Sequence, residues 1–275
     1  MNCSVGTSKG KFKNGIFRRG LITRAQVGFI SIPRYFDYSP QEFLKVAPNG
    51  TGAIQRILHV PDYTYTLKQR SDNFYLIDEA ATCLSDAHCQ VIGQTGVNWS
   101  HCTGTSPDEI RDYCEGVSNR CGAKLLMMGL SIVDAINAIG AKQIAVCNGY
   151  YTSDWAEGTN RFLTQAGFDI TWSGTMVDLG LYESEEELLR IAEANQWVFT
   201  PDETVQAIWR THQNAPDVDA VVQTGFGLRT LSHVSAIEAM IEKPLISSDL
   251  SLYWAMLREL STVAPCGNGS LLAAL

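Results

Sequence analysis

Residues 143–166, QIAVCNGYYTSDWAEGTNRFLTQA, contain the unit from which the fold of the whole chain is inferred. The first five residues form an apolar run of the length of a buried strand, and residues 148–151 resemble a turn. Residues 153–166 are predicted to be a helix. A buried strand, a turn and a helix in succession form the repeating unit of α/β proteins.

The same alternation is found along most of the chain. Strands are predicted at residues 26–33, 89–96, 168–172, 218–223 and 244–247, and helices at 74–87, 132–139, 183–195, 201–214, 230–242 and 250–260. A further helix is predicted to begin at Ser106, because Pro107 and Glu109 complete a capping box. Continuous apolar strands between helices indicate parallel sheets covered on both faces. We therefore predict an α/β fold with two similar open parallel-sheet, flavodoxin-like halves and an active site in the cleft between them.

The predicted halves comprise residues 25–130 and 131–275, with some exchange of C-terminal elements. Residues 1–24 are predicted to be a flexible basic arm, because the first twenty residues contain five basic side chains and no acid. This segment lacks the apolar core of a secretory signal, and no apolar run in the chain approaches the length of a membrane span.

The composition of the chain argues against several classes of protein, among them nucleic-acid-binding proteins and disulfide-rich secreted proteins. The 275 residues are 45% hydrophobic and 18% charged, which is typical of a soluble globular protein, and the net charge of −8 argues against nucleic-acid binding. The eight cysteines form no C-x-x-C pair, and disulfide frameworks belong to short secreted chains. We therefore expect reduced thiols in a cytoplasmic protein, with no membrane partner and no metal.

Parallel sheets bind ligands beyond the carboxyl ends of their strands, so the functional residues are expected in the loops at those ends. Cys102 lies with Thr103, Gly104 and Thr105 just before a predicted helix N-terminus, where an anion is favoured and the pKa of a thiol is lowered. The alternative is a buried structural cysteine. His101 is left outside the predicted site because neighbouring side chains on a loop usually point apart.

Three other features could bind an anion. The loop with Gly225, Phe226 and Gly227 could do so through its amides, or could be a tight turn, and it does not match the dinucleotide-binding pattern. Tyr150 and Tyr151 follow a strand, where a tyrosine can donate to an oxyanion or can simply pack at the edge of the core. Arg34 could pair with a carboxylate or could be a surface residue.

Four segments, in their order and spacing, resemble one branch of the aspartate/glutamate racemase superfamily. Residues 102–106 resemble its first-half loop, and residues 145–151 with 159–163 resemble a strand, tyrosine and helix element in which the tyrosine binds a carboxylate. Counting back from Phe162 selects Tyr151 for that role. Residues 225–231 resemble the second-half loop, and residues 243–248 a Lys-Pro-Val-Val-Ser-Ser segment. The branch contains maleate cis–trans isomerase and arylmalonate decarboxylase.

The resemblance implies Cys102 and Tyr151 as catalytic residues, and it implies no cofactor. It also implies substrate-binding residues in three loops: Arg34, Thr103, Gly104, Thr105, Gly225, Phe226 and Gly227. Two departures are notable. The second-loop position, a cysteine in the racemases and isomerases, is Gly225 here, and the first-strand loop has Pro33 and Arg34 in place of a Pro-Ser-x-Asn-like run.

A site with one thiol favours decarboxylation, since loss of CO₂ leaves an enediolate that needs a single proton donor. Cys102 would deliver that proton while Tyr151, Thr103 and loop amides stabilise the charge. We therefore expect a cofactor-independent enzyme for a small carboxylic or dicarboxylic acid, and the resemblance implies a homo-oligomer. The alternatives are a maleate-type isomerase or an amino- or hydroxy-acid racemase, a thiolate-driven β-elimination lyase, and a non-catalytic carboxylate sensor.

Overall fold

The computed structural model describes residues 23–262, 264–265 and 267–275, so nearly all of the predicted basic arm lies outside the described residues. The strands are β1 (Ala25–Ser31), β2 (Thr51–Ile57), β3 (Val91–Gln94), β4 (Lys124–Met127), β5 (Gln143–Gly149), β6 (Asp169–Thr175), β7 (Ala220–Gln223) and β8 (Leu245–Ser247). The helices are α1 (Ser39–Val46), α2 (Leu67–Asp72), α3 (Leu76–Asp86), α4 (Pro107–Cys121), α5 (Met128–Ala138), α6 (Ser153–Gln165), α7 (Glu185–Ala194), α8 (Pro201–Asn214), α9 (Val234–Ile241), α10 (Ser248–Glu259) and α11 (Gly269–Ala273). A short 3₁₀ helix, Val97–Ser100, follows β3.

These strands form two four-stranded sheets, and every pairing between neighbours is parallel. The first sheet has the order β2-β1-β3-β4 and the second the order β6-β5-β7-β8. The two orders are equivalent, because β1, β2, β3 and β4 of the first sheet correspond to β5, β6, β7 and β8 of the second. The predicted fold class, two similar parallel-sheet halves, is confirmed.

The inner strands β3 and β7 are buried along their whole length, because helices cover both faces of each sheet. The predicted start of α4 is also confirmed. Ser106 Oγ accepts from the Glu109 N–H at 3.3 Å, and Glu109 Oε2 accepts from the Ser106 N–H at 2.7 Å. None of the helices in the described residues is long and apolar enough to cross a membrane.

Helix α10 follows the second half in sequence but packs against α5, β3 and β4. A glycine in β3 makes this close approach possible, since a Cβ on Gly93 would lie 2.8 Å from the sulfur of Met256 in α10. The last long helix of the chain therefore covers the sheet of the first half.

Five of the listed strands and α-helices were not predicted: β2, β4, α1, α2 and α11. Strand β2 mixes small, polar and apolar residues and is only partly buried, so it shows no clear apolar run. Strand β4 leads directly into α5 within one apolar stretch, where periodicity cannot separate a short strand from a helix. For the same reason α5 begins four residues earlier than the sequence predicted.

A buried ion pair joins the two halves at the carboxyl ends of their strands. The guanidinium of Arg229 lies 2.7 Å from the carboxylate of Glu42 in α1 and 4.0 Å from that of Asp37. The Tyr253 hydroxyl donates to Glu42 at 3.0 Å. Burial raises the pKa of Glu42, and the charge of Arg229 opposes that shift. The pair therefore keeps a largely buried carboxylate ionised.

Replacing Glu42 with Gln is expected to lower the free energy of unfolding by about 3 kcal/mol, because it removes the nearer carboxylate partner of Arg229 and leaves only Asp37 at 4.0 Å. Urea unfolding followed by circular dichroism measures the change. The matched control is Glu79→Gln on the exposed face of α3, which should be nearly neutral. Equal stability of the two variants would contradict the role given to this ion pair.

Candidate functional site

A cleft lies between the two halves. The segments after β1, β3, β5 and β7 contribute to it, so it occupies the edge where the carboxyl ends of both sheets meet. Its lining is mostly aromatic. The lining residues are Ile32, Tyr65, Arg70, Gly96, Val97, Asn98 and Trp99 from the first half and Tyr150, Tyr151, Trp155, Trp197 and Phe226 from the second.

Arg70, in α2, is the cation among these residues, and no acidic side chain lines the cleft. The guanidinium is buried, donates to the carbonyl oxygen of Tyr65, and lies 4.6 Å from the ring centroid of Trp155. Within the described residues it has no carboxylate partner. A buried arginine is normally paired, so the cleft has the electrostatics of a site for an anion.

Tyr150 and Tyr151 both line the cleft, but their hydroxyl groups are used differently. The Tyr151 hydroxyl donates to the carbonyl oxygen of Thr224 at 2.7 Å, so its hydrogen is occupied. The Tyr150 hydroxyl accepts from the Gly227 N–H at 3.0 Å, and its own hydrogen has no acceptor among the described residues. Burial raises the pKa of Tyr150 to about 12 and that of Tyr151 well above its usual value. Both are therefore neutral phenols, and Tyr150 has the hydrogen available for a ligand.

The thiol of Cys102 is partly buried and lies 3.5 Å from the carbonyl oxygen of Trp99. Burial raises its pKa to about 12, and the positive charge of Arg70 together with nearby backbone N–H groups offsets only part of this shift. The prediction of a lowered pKa was therefore wrong, because desolvation outweighs the favourable dipoles of the loop. Cys102 does not line the cleft, although Trp99 beside it does.

The other predicted site residues fall into two groups. Thr103, Gly104 and Arg34 are exposed and Thr105 is partly exposed, and none of the four lines the cleft. The Thr103 and Thr105 hydroxyls bond to each other at 3.0 Å, and the Arg34 guanidinium donates to the carbonyl oxygen of Tyr63 at 3.0 Å.

The second predicted loop lies at the cleft, and Phe226 forms part of the cleft wall. A buried glycine stands on each side of Phe226, namely Gly225 and Gly227. A Cβ on Gly225 would lie 3.3 Å from the Tyr150 ring. One on Gly227 would collide with the carbonyl oxygen of Trp197. Position 227 must therefore be glycine for the loop to pass beneath Trp197.

Sequence reasoning missed Arg70, Asn98 and most of the aromatic wall. Arg70 lies in the polar segment Lys68–Gln69–Arg70, which shows no motif. Trp155 stands among mostly polar residues, and Trp197 follows a predicted helix, outside every loop that comes after a predicted strand. Asn98 stands at the start of the loop that contains Cys102, where an asparagine by itself carries no signal of a ligand contact. No local signal identified these residues, because the fold brings them together from distant segments.

A hydrogen-bonded trio fixes one side of the cleft. The Nε2 atom of His101 lies 3.0 Å from Asn98 Oδ1 and 3.1 Å from the hydroxyl of Thr159 in α6. The pKa of His101 is lowered to about 3, mainly by burial and additionally by the charges of Arg70 and Arg161. His101 is therefore a neutral residue that links the first-half loop to a second-half helix.

A Gln-Thr-Gly triplet is repeated at equivalent places in the two halves. It begins at the last residue of β3 as residues 94–96 and at the last residue of β7 as residues 223–225, and these strands occupy the same position in the two sheets. Gly96 is therefore the counterpart of Gly225. Its φ is +92°, and a Cβ there would lie 2.6 Å from the Ile32 side chain. Both equivalent positions are glycine, and Cys102 lies further along the first loop.

A family model described as arylmalonate decarboxylase matches residues 72–272. The crystal structure of arylmalonate decarboxylase superposes with a TM-score of 0.70 and 17% identity, covering 91% of this chain and 100% of that one. No curated protein matches by sequence.

Two maleate isomerases share the fold as well. The enzyme Iso from Pseudomonas putida S16 gives a TM-score of 0.72 and 22% identity, covering 91% of this chain and 99% of that one. The Nocardia farcinica maleate cis-trans isomerase gives 0.69 and 16%, covering 90% and 97%. A mutant of the latter carries a covalently bound succinylcysteine intermediate.

The neutral state of His101 makes a prediction about acid stability. The unfolded chain takes up a proton on this residue below about pH 6.5, whereas the folded protein does so only near pH 3. The free energy of unfolding should therefore fall as the pH is lowered through this window, by about 1.4 kcal/mol per pH unit from this residue. Urea unfolding at a series of pH values measures it. The difference in the free energy of unfolding between the wild type and His101→Gln should become smaller towards low pH. If the two free energies fall in parallel with pH, the prediction is refuted.

Proposed function

The chain belongs to the arylmalonate decarboxylase family, and from this premise we propose that it is a cofactor-independent decarboxylase of a small malonate-type diacid bearing a flat apolar substituent. One observation carries the proposal. The cleft combines aromatic walls with the buried guanidinium of Arg70 and contains no acidic side chain. Such a lining fits an anion attached to a flat apolar group.

In this proposal Arg70 binds the carboxylate that the substrate retains. Guanidinium and carboxylate groups match each other's geometry and can form two parallel hydrogen bonds. The substrate thereby supplies the anionic partner that Arg70 lacks among the described residues. The aromatic walls formed by Trp155, Trp197 and Phe226 hold the substituent and exclude water from the carboxylate that leaves.

Loss of CO₂ breaks one C–C bond and leaves its electron pair on the substrate as an enediolate. Arg70 and the free hydroxyl hydrogen of Tyr150 stabilise that charge. Tyr151, the sequence-based candidate, supports the site by donating to Thr224 and so fixing the loop that carries Gly225, Phe226 and Gly227. The amides of this loop complete the anion-binding surface.

Cys102 is the proposed proton donor for the enediolate carbon. Its raised pKa supports this role, since the thiol is protonated at neutral pH and Arg70 stabilises the thiolate left after transfer. The Cys102 side chain rotates away from the Trp99 carbonyl to reach the cleft, and solvent then restores its proton. A protonated thiol is a poor nucleophile and a poor base, so the same observation disfavours thiol addition to an alkene and β-elimination.

All six cysteines in the described residues are free thiols, which supports a reducing compartment and hence a cytoplasmic enzyme. No group of histidine, cysteine or acidic side chains in that part of the chain is arranged to hold a metal ion. The proposed chemistry uses only side chains and backbone groups of the protein, together with the proposed substrate.

Cys102→Ser is expected to reduce the turnover of phenylmalonate by at least about 100-fold, because the proton donor is lost. Proton NMR in D₂O follows loss of the diacid and incorporation of a single deuterium. Binding of phenylacetate should change little, and the exposed-thiol control Cys83→Ser should behave as wild type. Full activity of Cys102→Ser would exclude Cys102 as the donor. Conversion of maleate to fumarate, with phenylmalonate untouched, would favour an isomerase, and binding of carboxylates without turnover would favour a sensor.

Arg70→Gln is expected to weaken carboxylate binding by about 10- to 100-fold, because a charged hydrogen-bonding partner is removed from a buried site. Arg70→Lys should recover only part of the loss, since an ammonium group cannot form two parallel bonds. Isothermal titration with phenylacetate measures both variants. Arg34→Gln is the matched control, because Arg34 is exposed and does not line the cleft. If Arg34→Gln loses more affinity for phenylacetate than Arg70→Gln does, the carboxylate is bound by Arg34 instead.

A further inference from the structure

We infer that Asn98 binds the substrate through its side-chain NH₂ group, and that His101 is a positioning residue that holds this amide towards the ligand. The inference rests on the proposed function and deepens it by naming a second polar contact in the cleft. Asn98 is 5% exposed and lines the cleft together with Arg70. No described residue accepts a hydrogen bond from its NH₂ group, whereas its carbonyl oxygen is engaged by His101 and Thr159.

The orientation of the Asn98 amide follows from the state of His101. The Nδ1 atom of His101 is buried and has no hydrogen-bond partner. A hydrogen on Nδ1 would be a buried donor without an acceptor, which proteins avoid more strictly than an unused lone pair. The hydrogen of the neutral ring therefore lies on Nε2, which donates to Asn98 Oδ1. This leaves the NH₂ group as the part of Asn98 available to a ligand.

The His101 ring is held firmly enough to act as a support. A Cβ on Gly158 in α6 would lie 2.7 Å from the ring, so that glycine is what allows the helix to pack directly against the imidazole. The hydroxyl of Thr159 bonds to the same Nε2 atom at 3.1 Å and to Asn98 Oδ1 at 3.4 Å. Asn98 is therefore oriented by residues from both halves of the protein.

Asn98 and Arg70 provide complementary contacts. The guanidinium supplies the positive charge that attracts a carboxylate, and the amide supplies a neutral donor at a second position in the same cleft. A substrate with two oxygen atoms to bind can use both. We therefore place the Asn98 NH₂ group on a carboxylate oxygen of the substrate, which becomes an enediolate oxygen after CO₂ has left.

The test measures binding of a carboxylate panel (phenylacetate, benzoate, maleate and succinate) by isothermal titration, with kcat and KM for any diacid that is turned over. Asn98→Asp is nearly isosteric but replaces the donor with an acceptor. We expect it to weaken binding by about 10- to 100-fold. His101→Leu should weaken binding by about tenfold, and His101→Gln, which retains an N–H near the Nε2 position, should restore most of the loss.

A double-mutant cycle separates positioning from general stability. If His101 acts through Asn98, the double variant Asn98→Ala/His101→Leu should bind no more weakly than Asn98→Ala alone. Full additivity of the two losses would refute the positioning role. Wild-type binding by Asn98→Asp would refute the contact with substrate. Should His101→Leu fail to fold, Thr159→Val against Thr159→Ser tests the same orientation, since only the serine retains the hydroxyl.

The failure of this inference is distinguishable from failure of the proposed function. Loss of binding in Arg70→Gln but not in Asn98→Asp would leave the proposed function intact and remove only Asn98. Ligand binding that depends on Asn98, without decarboxylation of any diacid, would support the contact and reject the decarboxylase. Failure of the wild type to bind every carboxylate of the panel would overturn both.

Discussion

The ion pair between Arg229 and Glu42 is the interaction on which the geometry of the cleft depends. It joins the loop after β7 to helix α1, and thereby fixes the carboxyl ends of the two sheets relative to each other. The Arg229 guanidinium also lies 4.4 Å from the ring centroid of Phe226, the residue of that loop that forms part of the cleft wall. Asp249 accepts hydrogen bonds from the N–H and hydroxyl of Thr230 and so fixes the other side of Arg229. This charged contact therefore links the two halves and supports an aromatic wall of the cleft at the same time.

A second arginine has the opposite arrangement. Arg229 is buried with carboxylates, whereas Arg70 is buried among aromatic rings and has no carboxylate among the described residues. A buried charge without a counter-ion lowers stability, and the Trp155 face compensates for only part of that cost. The fold retains such a group at the cleft, which is where a ligand can supply the missing charge. Stability and ligand binding thus make opposite demands on the same side chain.

The sequence predicted the fold more completely than the site, for physical reasons. Strands such as β5 and β7 are continuous apolar runs because both of their faces are covered, and this pattern is local. The cleft is not local, since Arg70 comes from an unpredicted helix and Trp197 from a loop far along the chain. The thiol of Cys102 was recognised from its dipolar surroundings, but the extent of its burial is a tertiary property and reverses the direction of its pKa shift. Phe226 and Tyr151 were found because they follow predicted strands directly.

The repeated Gln-Thr-Gly triplet bears on how the cleft distinguishes the two prochiral faces of a flat bound molecule. The same triplet stands at the equivalent place in each half, but of its two glycines only Gly96 has a positive φ, so a flat molecule between the turns would meet a glycine backbone on each prochiral face in a different conformation. The side chains add to the difference between those faces, with Arg70 and Asn98 from one half and Trp155 and Trp197 from the other. Stereochemical preference in such a cleft is a property of a few replaceable side chains, and the enantiomer formed can change while the fold stays the same.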